Sequence, residues 1–362
     1  MSKITDRILA ALLLTFIAAP EAQSSSYGRP DGEQLRTETR TEYRNTVTAD
    51  ARARRARRGI IIAGTGRSTR AMEPYGGTSA QSRTYAATVN RYQEVFGRAA
   101  TVYCMPIPNA VAFYCPDAAL GWTAPQRPVM DSLFAALSDS VRAVDIYPVL
   151  GCHAAEPIYS RTDHHWAPLG AYYAAEEFAR VAGVPFLPLT DYEERRVAGY
   201  VGTMYRFSRD LAVRRAPEDF VYYVPRDVDY ATTYVNYTLD RTRTGVLSES
   251  EPVEGPFFYT YSDGSSGAYC TFMGGDTRTV AVRTSTRNGR RLLLLKDSYG
   301  NALPGYLFGS FEEIHVVDCR YFTKNIVRYA EDNRITDILF ANNMIHASME
   351  RTCTRYERYL NQ

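Results

Sequence analysis

The run Leu292-Leu293-Leu294-Leu295, closed by Lys296-Asp297-Ser298-Tyr299-Gly300-Asn301, constrains the fold more than any other stretch of the chain. A short unbroken apolar run bounded by turn formers reads as a buried strand, and the Asp-Ser-x-Gly that follows reads as a tight turn. The pattern predicts Ser298 at the carboxyl end of a sheet, with a helix from Ala302 to Phe308 just beyond. A hydroxyl in that position is accessible and lies near the free backbone N–H groups of a helix start, where a developing oxyanion is stabilised. Serine alone is a weak nucleophile and needs a base that a third group orients. Thr162-Asp163-His164-His165-Trp166 offers an acid and two of the five histidines side by side, ahead of a predicted helix Pro168 to Ala182.

Strands and helices alternate on either side of these segments. We expect a strand at Gly59 to Ala63, a helix at Tyr85 to Phe96, a strand at Thr101 to Met105, a helix at Val129 to Leu137 and a strand at Ala143 to Leu150. Alternation at this spacing indicates a parallel sheet with helices on both faces. From about Thr190 to Arg287 helical periodicity fades. Short aromatic and β-branched runs take over, among them Phe220 to Val224, Phe257 to Tyr261 and Tyr269 to Met273, which predicts a β-rich insertion. The β/α pattern resumes with strands Glu313 to Asp318 and Asp337 to Ala341, a helix Phe322 to Asp332 and a final helix Ile345 to Leu360. The expected organisation is therefore 59–189 and 288–362 as two parts of one α/β domain, with 190–287 inserted between them. Gly64-Thr65-Gly66 lacks the third glycine of a dinucleotide loop and is taken as a turn.

The N-terminus has the form of an export signal. Lys3 and Arg7 precede an apolar run from Ile8 to Ala19, which is short for a membrane span. Residues 1–23 are expected to be a signal peptide or signal anchor, and 24–58 a polar stalk ending in Arg52, Arg54, Arg55, Arg57 and Arg58. That arginine-rich end is either a solvated helix or stalk, or a contact for anionic lipid or polymer. A formal net charge of +2 argues against a dedicated nucleic-acid binder. The six cysteines have no CxxC spacing, so neither a zinc ribbon nor a redox dithiol is indicated; Cys104 and Cys319 lie in strand-like runs and read as small buried hydrophobes. No cofactor motif is evident. The 28 tyrosines suit either a solvated tyrosine-rich sheet or contacts to polar ligands such as sugars.

The constellation to test is Ser298 as nucleophile, His165 as base and Asp163 as the group that orients it. In an open α/β sheet the carboxyl ends of several strands meet in one crevice, so distant segments can converge. Plainer readings stand beside this one. Ser298 could be an N-cap, and Asp163 could cap the helix that follows it. Adjacent histidines could be metal ligands, but neighbouring side chains usually point apart and no further ligand has zinc-like spacing, so no metal is expected.

Thr162-Asp163-His164-His165-Trp166 resembles the signature of the bacterial DHHW proteins. Lys296 to Asn301, Val317-Asp318-Cys319-Arg320-Tyr321-Phe322 and Asp337 to Asn343 resemble later blocks of that family in the same order. The family is similar to the SGNH-hydrolase-like domains of the alginate O-acetyltransferases. The resemblance implies an SGNH-hydrolase-like three-layer α/β/α fold in an exported protein of the periplasm or cell envelope. It implies catalytic roles for Asp163, His165 and Ser298 and gives His164 none. Arg320, Asn342, Asn343 and Gly275 are candidates for substrate binding or oxyanion stabilisation. Gly274-Gly275-Asp276 stands where Gly-Gly-Asn is expected, and a carboxylate cannot donate to an oxyanion.

Two functions follow from the resemblance and the residues together. One is a serine acyltransferase or esterase acting on O-acetyl groups of a cell-surface or secreted polysaccharide, with an acyl-donating membrane protein as a partner. The other is a catalytically silent carbohydrate-binding or assembly protein with the same fold.

Overall fold

The computed structural model describes residues 52–242 and 245–362. The signal-like segment and most of the predicted stalk lie outside these residues. The last of that stretch is described and is no stalk: Ala53–Arg55 (β1) pairs antiparallel with Ile61–Ala63 (β2), which pairs with Arg70–Met72 (β3).

Ser79–Phe96 (α1) starts six residues before the predicted helix, because Thr78 and Gln81 form a capping box. Its buried face repeats at helical spacing through Tyr85, Val89, Tyr92 and Phe96. Thr101–Cys104 (β4) follows, then Arg127–Phe134 (α2). The predicted strand Ala143 to Leu150 is instead a two-residue strand, Arg142–Ala143 (β5), and a helix, Tyr147–Cys152 (α3). Pro148 explains the difference. It has no N–H for a ladder, but its fixed φ suits the first turn of a helix. Pro168–Ala182 (α4) matches its prediction, opened by Pro168 and closed by Gly183 in the left-handed conformation (φ 67°).

The region expected as an insertion begins with a two-stranded ribbon, Tyr192–Tyr200 (β6) and Glu218–Pro225 (β7), with Thr203–Ser208 (α5) and Leu211–Arg214 (α6) between its strands. Tyr230–Leu239 (β8), Val246–Glu249 (β9), Val253–Gly255 (β10) and Arg278–Thr284 (β11) then extend the main sheet rather than forming a separate unit. Arg291–Lys296 (β12), Glu313–Asp318 (β13) and Asp337–Ala341 (β14) complete it. Between them, the predicted helix Ala302 to Phe308 is two short 3-10 turns, Ser298–Ala302 and Pro304–Tyr306, interrupted by Pro304. Ile326–Asp332 (α7), Met344–Ala347 (α8) and Glu350–Asn361 (α9) close the chain; the predicted last helix is broken in two at Ser348 and Met349.

The nine-stranded sheet runs β10-β8-β11-β13-β12-β14-β4-β5, with β9 on β8. Pairs from β13 to β5 are parallel, and those from β13 through β11 to β10 antiparallel, so the sheet is mixed where a parallel one was expected. The four leucines explain why β12 is central. Leu293 and Leu295 pack with Tyr85, Tyr92, Ile326 and Tyr356 from α1, α7 and α9. Leu292 and Leu294 pack with Phe178 of α4 and with Tyr222 and Phe257. Alternate residues thus serve opposite faces, as the period of a strand requires. Helices flank the sheet on both sides. Phe257–Tyr261 and Tyr269–Met273 share a single bridge, Phe258 to Phe272, instead of a ladder. Their rings fill the core, and Gly264 and Gly267 lie in the loop between the two runs.

Candidate active site

Ser298 opens the turn after β12. Asp297 fixes that turn from below: its Oδ1 accepts from the Tyr299 N–H at 2.9 Å and its Oδ2 from the Asn343 N–H at 2.8 Å. A fully buried carboxylate thus ties the ends of β12 and β14 together. Asn342 belongs to the same anchor. Its Nδ2 donates to Asp297 at 3.3 Å, and its Oδ1 accepts from the hydroxyls of Tyr85 and Tyr356 at 2.7 and 2.8 Å. Asn343 spends its Oδ1 capping α8 through Ile345 and His346. Both asparagines, substrate or oxyanion candidates in the sequence, help hold the serine turn, Asn342 through its side chain and Asn343 through its backbone N–H.

His165 approaches Ser298 from the loop before α4. Its Nε2 lies 2.8 Å from Ser298 Oγ, and its Nδ1 lies 2.5 Å from Asp163 Oδ1. The carboxylate can only accept, so Nδ1 carries the proton, Nε2 accepts, and the Ser298 hydroxyl donates to it. Asp163 Oδ2 accepts from the N–H and hydroxyl of Thr203 at 2.7 and 2.9 Å. Burial pushes the Asp163 carboxyl up, but His165, His164 and these hydrogen bonds outweigh it and hold it well below its ordinary range. Gly202 is required here, because a Cβ on it would stand 2.3 Å from Asp163 Oδ2. Thr203 has spent its one proton on Asp163, so His164 Nδ1, 2.5 Å from Thr203 Oγ1, is the donor there. Burial and the neighbouring His165 push the His164 imidazole down to about 3, so this ring is neutral at physiological pH.

The ring of His165 is covered by Tyr269, parallel to it within 5° at a centroid distance of 3.7 Å. The Tyr269 hydroxyl donates to the carbonyls of Ser298 and Tyr299 at 3.0 and 2.9 Å. Trp166 Nε1 reaches the same Tyr299 carbonyl at 2.8 Å. One tyrosine therefore fixes both the plane of the imidazole and the turn that carries the serine.

Behind the turn lies a cluster of four charges. Lys296 Nζ sits 2.8 Å from Asp318 and 3.3 Å from Asp276. Arg320 grips Asp318 through Nε and Nη2 at 2.7 and 2.6 Å, and reaches Asp276 at 2.9 Å. Asn301 Nδ2 donates to Asp276 at 2.7 Å. Arg320, a substrate candidate in the sequence, thus spends its Nε and Nη2 on the ion cluster. Burial raises both carboxyls, yet the adjacent cations prevail and hold each below its ordinary range. The Asp276 carboxylate that replaces the expected donor is neutralised and tied to the serine turn. Gly275 precedes it in a left-handed run through Met273, Gly274 and Gly275 (φ 59°, 69° and 115°).

Asp163, His164 and His165 also place one ligand atom each within 4.8 Å of one another. A cation held there would displace hydrogen bonds, since both Asp163 oxygens and both Nδ1 atoms are engaged. The residues fit the hydrogen-bonded chain better than a metal.

Sequence reasoning missed Thr203, Gly202 and Tyr269, which carry no local signal. Lys296 did carry one, since an ammonium directly after four buried leucines has to find a carboxylate.

A mixed α/β sheet with a serine–histidine–aspartate chain of hydrogen bonds at the carboxyl ends of its parallel strands defines the class. The model of the family described as DHHW protein matches residues 44–317, and the chain belongs to that family. It is 37% identical to a DHHW family protein from Eubacterium siraeum of known crystal structure, with a TM-score of 0.73 over 83% of this chain and 95% of that one. It shares its fold with Bacillus cereus PatB1, at 18% identity and a TM-score of 0.61 over 81% of this chain and 99% of that one. A second PatB1 structure, with a sulfonyl adduct, is similar at 17% identity and a TM-score of 0.60, covering 81% and 97%. No curated protein matches the chain. Among the described residues no helix is long and apolar enough to cross a membrane.

Proposed function

We propose that the protein is an extracytoplasmic serine acyltransferase or esterase acting on O-acetyl groups of a glycan. The observation that carries this reading is the contact of His165 Nε2 with Ser298 Oγ at 2.8 Å, with Asp163 buried behind it. In the first half-reaction Ser298 Oγ attacks the acetyl carbonyl while its proton passes to His165 Nε2. Asp163 stabilises the imidazolium so formed. The carbonyl oxygen becomes an oxyanion near the Ser298 N–H, one of the donors that a helical start leaves without an intrahelical partner. His165 then returns the proton to the leaving alkoxide, and an acetyl-serine remains. In the second half-reaction a sugar hydroxyl or water gives its proton to His165 and attacks the ester, which separates transfer from hydrolysis.

The sulfonyl adduct of PatB1 supports the reading, because an activated nucleophile acquires such a group. The signal-like residues 1–23 support export, and an acyl-donating membrane protein would supply the acetyl group. Lys296 and Arg320 compensate the charge of Asp276, which removes its repulsion of an oxyanion, while the missing donor at this position remains the motive for the silent alternative. The test is turnover of p-nitrophenyl acetate by the purified chain. Ser298→Ala, His165→Ala and Asp163→Ala should each lower it at least a hundredfold. Turnover by Ser298→Ala equal to that of the parent would overturn the proposal, and glycan binding without any turnover would assign the silent function.

A further inference from the structure

Beside the serine lies a face whose charge the acyl chemistry does not use. It is built from the β1–β3 corner and from α5 and α6, which share a small core of Ile60, Ile62, Met204 and Val213. Segments 52–72 and 203–216 carry one acid between them, Asp210, and it is paired with Arg54. The other exposed arginines of these segments have no carboxylate partner among the described residues. Glu73, the next residue after β3, lies within electrostatic reach of Arg58 but forms no ion pair with it. Since the whole chain has a formal net charge of only +2, this concentration is local.

Several of these guanidinium groups are held in place by aromatic rings. Arg58 and Arg206 lie 5.4 and 5.6 Å from the ring centre of Phe207, Arg214 lies 5.7 Å from that of Tyr205, and Arg55 lies 4.9 Å from that of Trp122. A guanidinium resting on a ring keeps its in-plane N–H donors unspent and ordered, which suits a carboxylate or phosphate. The face also adjoins the reacting groups. Thr203, the first residue of α5, holds Asp163. Phe207, in the same helix, lies 5.6 Å from the ring of His164, which is 3.8 Å from that of His165. Only two rings separate Arg58 and Arg206 from the proposed base.

We infer that this face binds a polyanionic glycan, a polysaccharide strand bearing carboxylate or phosphate groups, and so presents its neighbouring sugars to Ser298. The inference rests on the acyl-transfer reading for its purpose but not for its test. A bilayer would meet the same charges, but the face lies two rings from His165, where the proposed acyl acceptor has to come, so the glycan is the occupant the arrangement favours.

The experiment uses the full chain carrying Ser298→Ala, so that binding is read without acyl chemistry. Fluorescent polygalacturonate is titrated by anisotropy at low and at raised ionic strength, with dextran of similar length as the neutral control. Polygalacturonate should bind and dextran should not, with affinity falling as salt screens the contacts. Adding Arg58→Gln, Arg206→Gln and Arg209→Gln together should weaken binding by about tenfold or more. Removing three arginines of α9 (Arg351→Gln, Arg355→Gln, Arg358→Gln) should leave it unchanged. If the first triple variant has no cooperative thermal transition, the charge reversal Arg206→Glu gives the same comparison. Equal loss in both triple variants would mean net charge alone is felt and would overturn the inference. So would undiminished binding in the patch variants, or dextran binding as tightly. Binding to phosphatidylglycerol vesicles through the same arginines, with none to polygalacturonate, would assign the face to a membrane and overturn it as well.

Discussion

Lys296→Met should reveal how much the buried ion cluster supports the serine turn. Lys296 is 1% exposed, and its ammonium sits between two carboxylates, at 2.8 Å from Asp318 and 3.3 Å from Asp276. With Arg320 the cluster has two positive and two negative groups. Methionine fills the space of the lysine stem but leaves one carboxylate uncompensated in a largely buried site. Removing one partner of a buried pair costs about 3–5 kcal/mol. Urea unfolding at neutral pH should show a loss of this size. Lys296→Met combined with Asp318→Asn balances the charges again and should recover about 1–3 kcal/mol, read as a coupling energy in a double-mutant cycle.

The loss should also depend on pH. Both carboxyls are held below their ordinary range, so their contribution is complete above the unfolded value of about 4 and is lost as pH falls through the folded values. Without Lys296 the carboxylates protonate more readily, so the deficit of the variant should narrow as pH drops below about 4. A Lys296→Met protein within about 1 kcal/mol of the parent, or strictly additive mutations, would refute the reasoning.

Three further outcomes follow from the same contacts. Gly202→Ala would drive a Cβ into Asp163 Oδ2 and should slow labelling of Ser298 by a fluorophosphonate at least tenfold with unchanged far-UV circular dichroism; labelling at the parent rate would contradict this role for the glycine. Tyr269→Phe keeps the ring on His165 and loses two hydrogen bonds, so it should cost about 1–2 kcal/mol of stability and little labelling rate, whereas Tyr269→Ala should cost about 3–5 kcal/mol and more than tenfold in rate. Equal rates in the two variants would remove the stack from the account. His164 is pushed down to about 3 from its ordinary 6.5, so its contribution is complete above about 6.5 and is lost as pH falls toward 3. His164→Gln lacks this linkage, and the Tm difference between parent and variant should shrink between pH about 6.5 and 4; a constant difference would exclude it.

Much of the frame could be read from local pattern. Leu292 to Leu295 marks the central strand because an unbroken apolar run suits a strand covered on both faces. Pro168 and Gly183 bracket α4 because each has a conformation that fits one helix end. Local pattern misled where a single residue overrode it, as Pro148 did in turning a predicted strand into α3. It also misled where aromatic residues serve the core without pairing, as in Phe257 to Tyr261. At the site, adjacency of Asp163 and His165 was visible and their contact with Ser298 is a tertiary fact that strand order makes intelligible. The contacts of Asn342, Asn343 and Arg320 were not legible for one reason. A polar residue at a strand end can face the crevice or the turn beneath it; here Asp297 takes the Asn342 side chain and the Asn343 N–H, and Asp318 and Asp276 take Arg320. Tyr269 is 29 residues from Ser298 and comes against it only through the loop before β11.

The most direct test of the account is mass spectrometry of the full chain after exposure to a fluorophosphonate, with peptide mapping of the adduct. The account predicts one adduct, on Ser298, that is lost in His165→Ala and strongly reduced in Asp163→Ala. A chain that stays unlabelled from mildly acid to mildly basic pH, or that is labelled equally without His165, would contradict it.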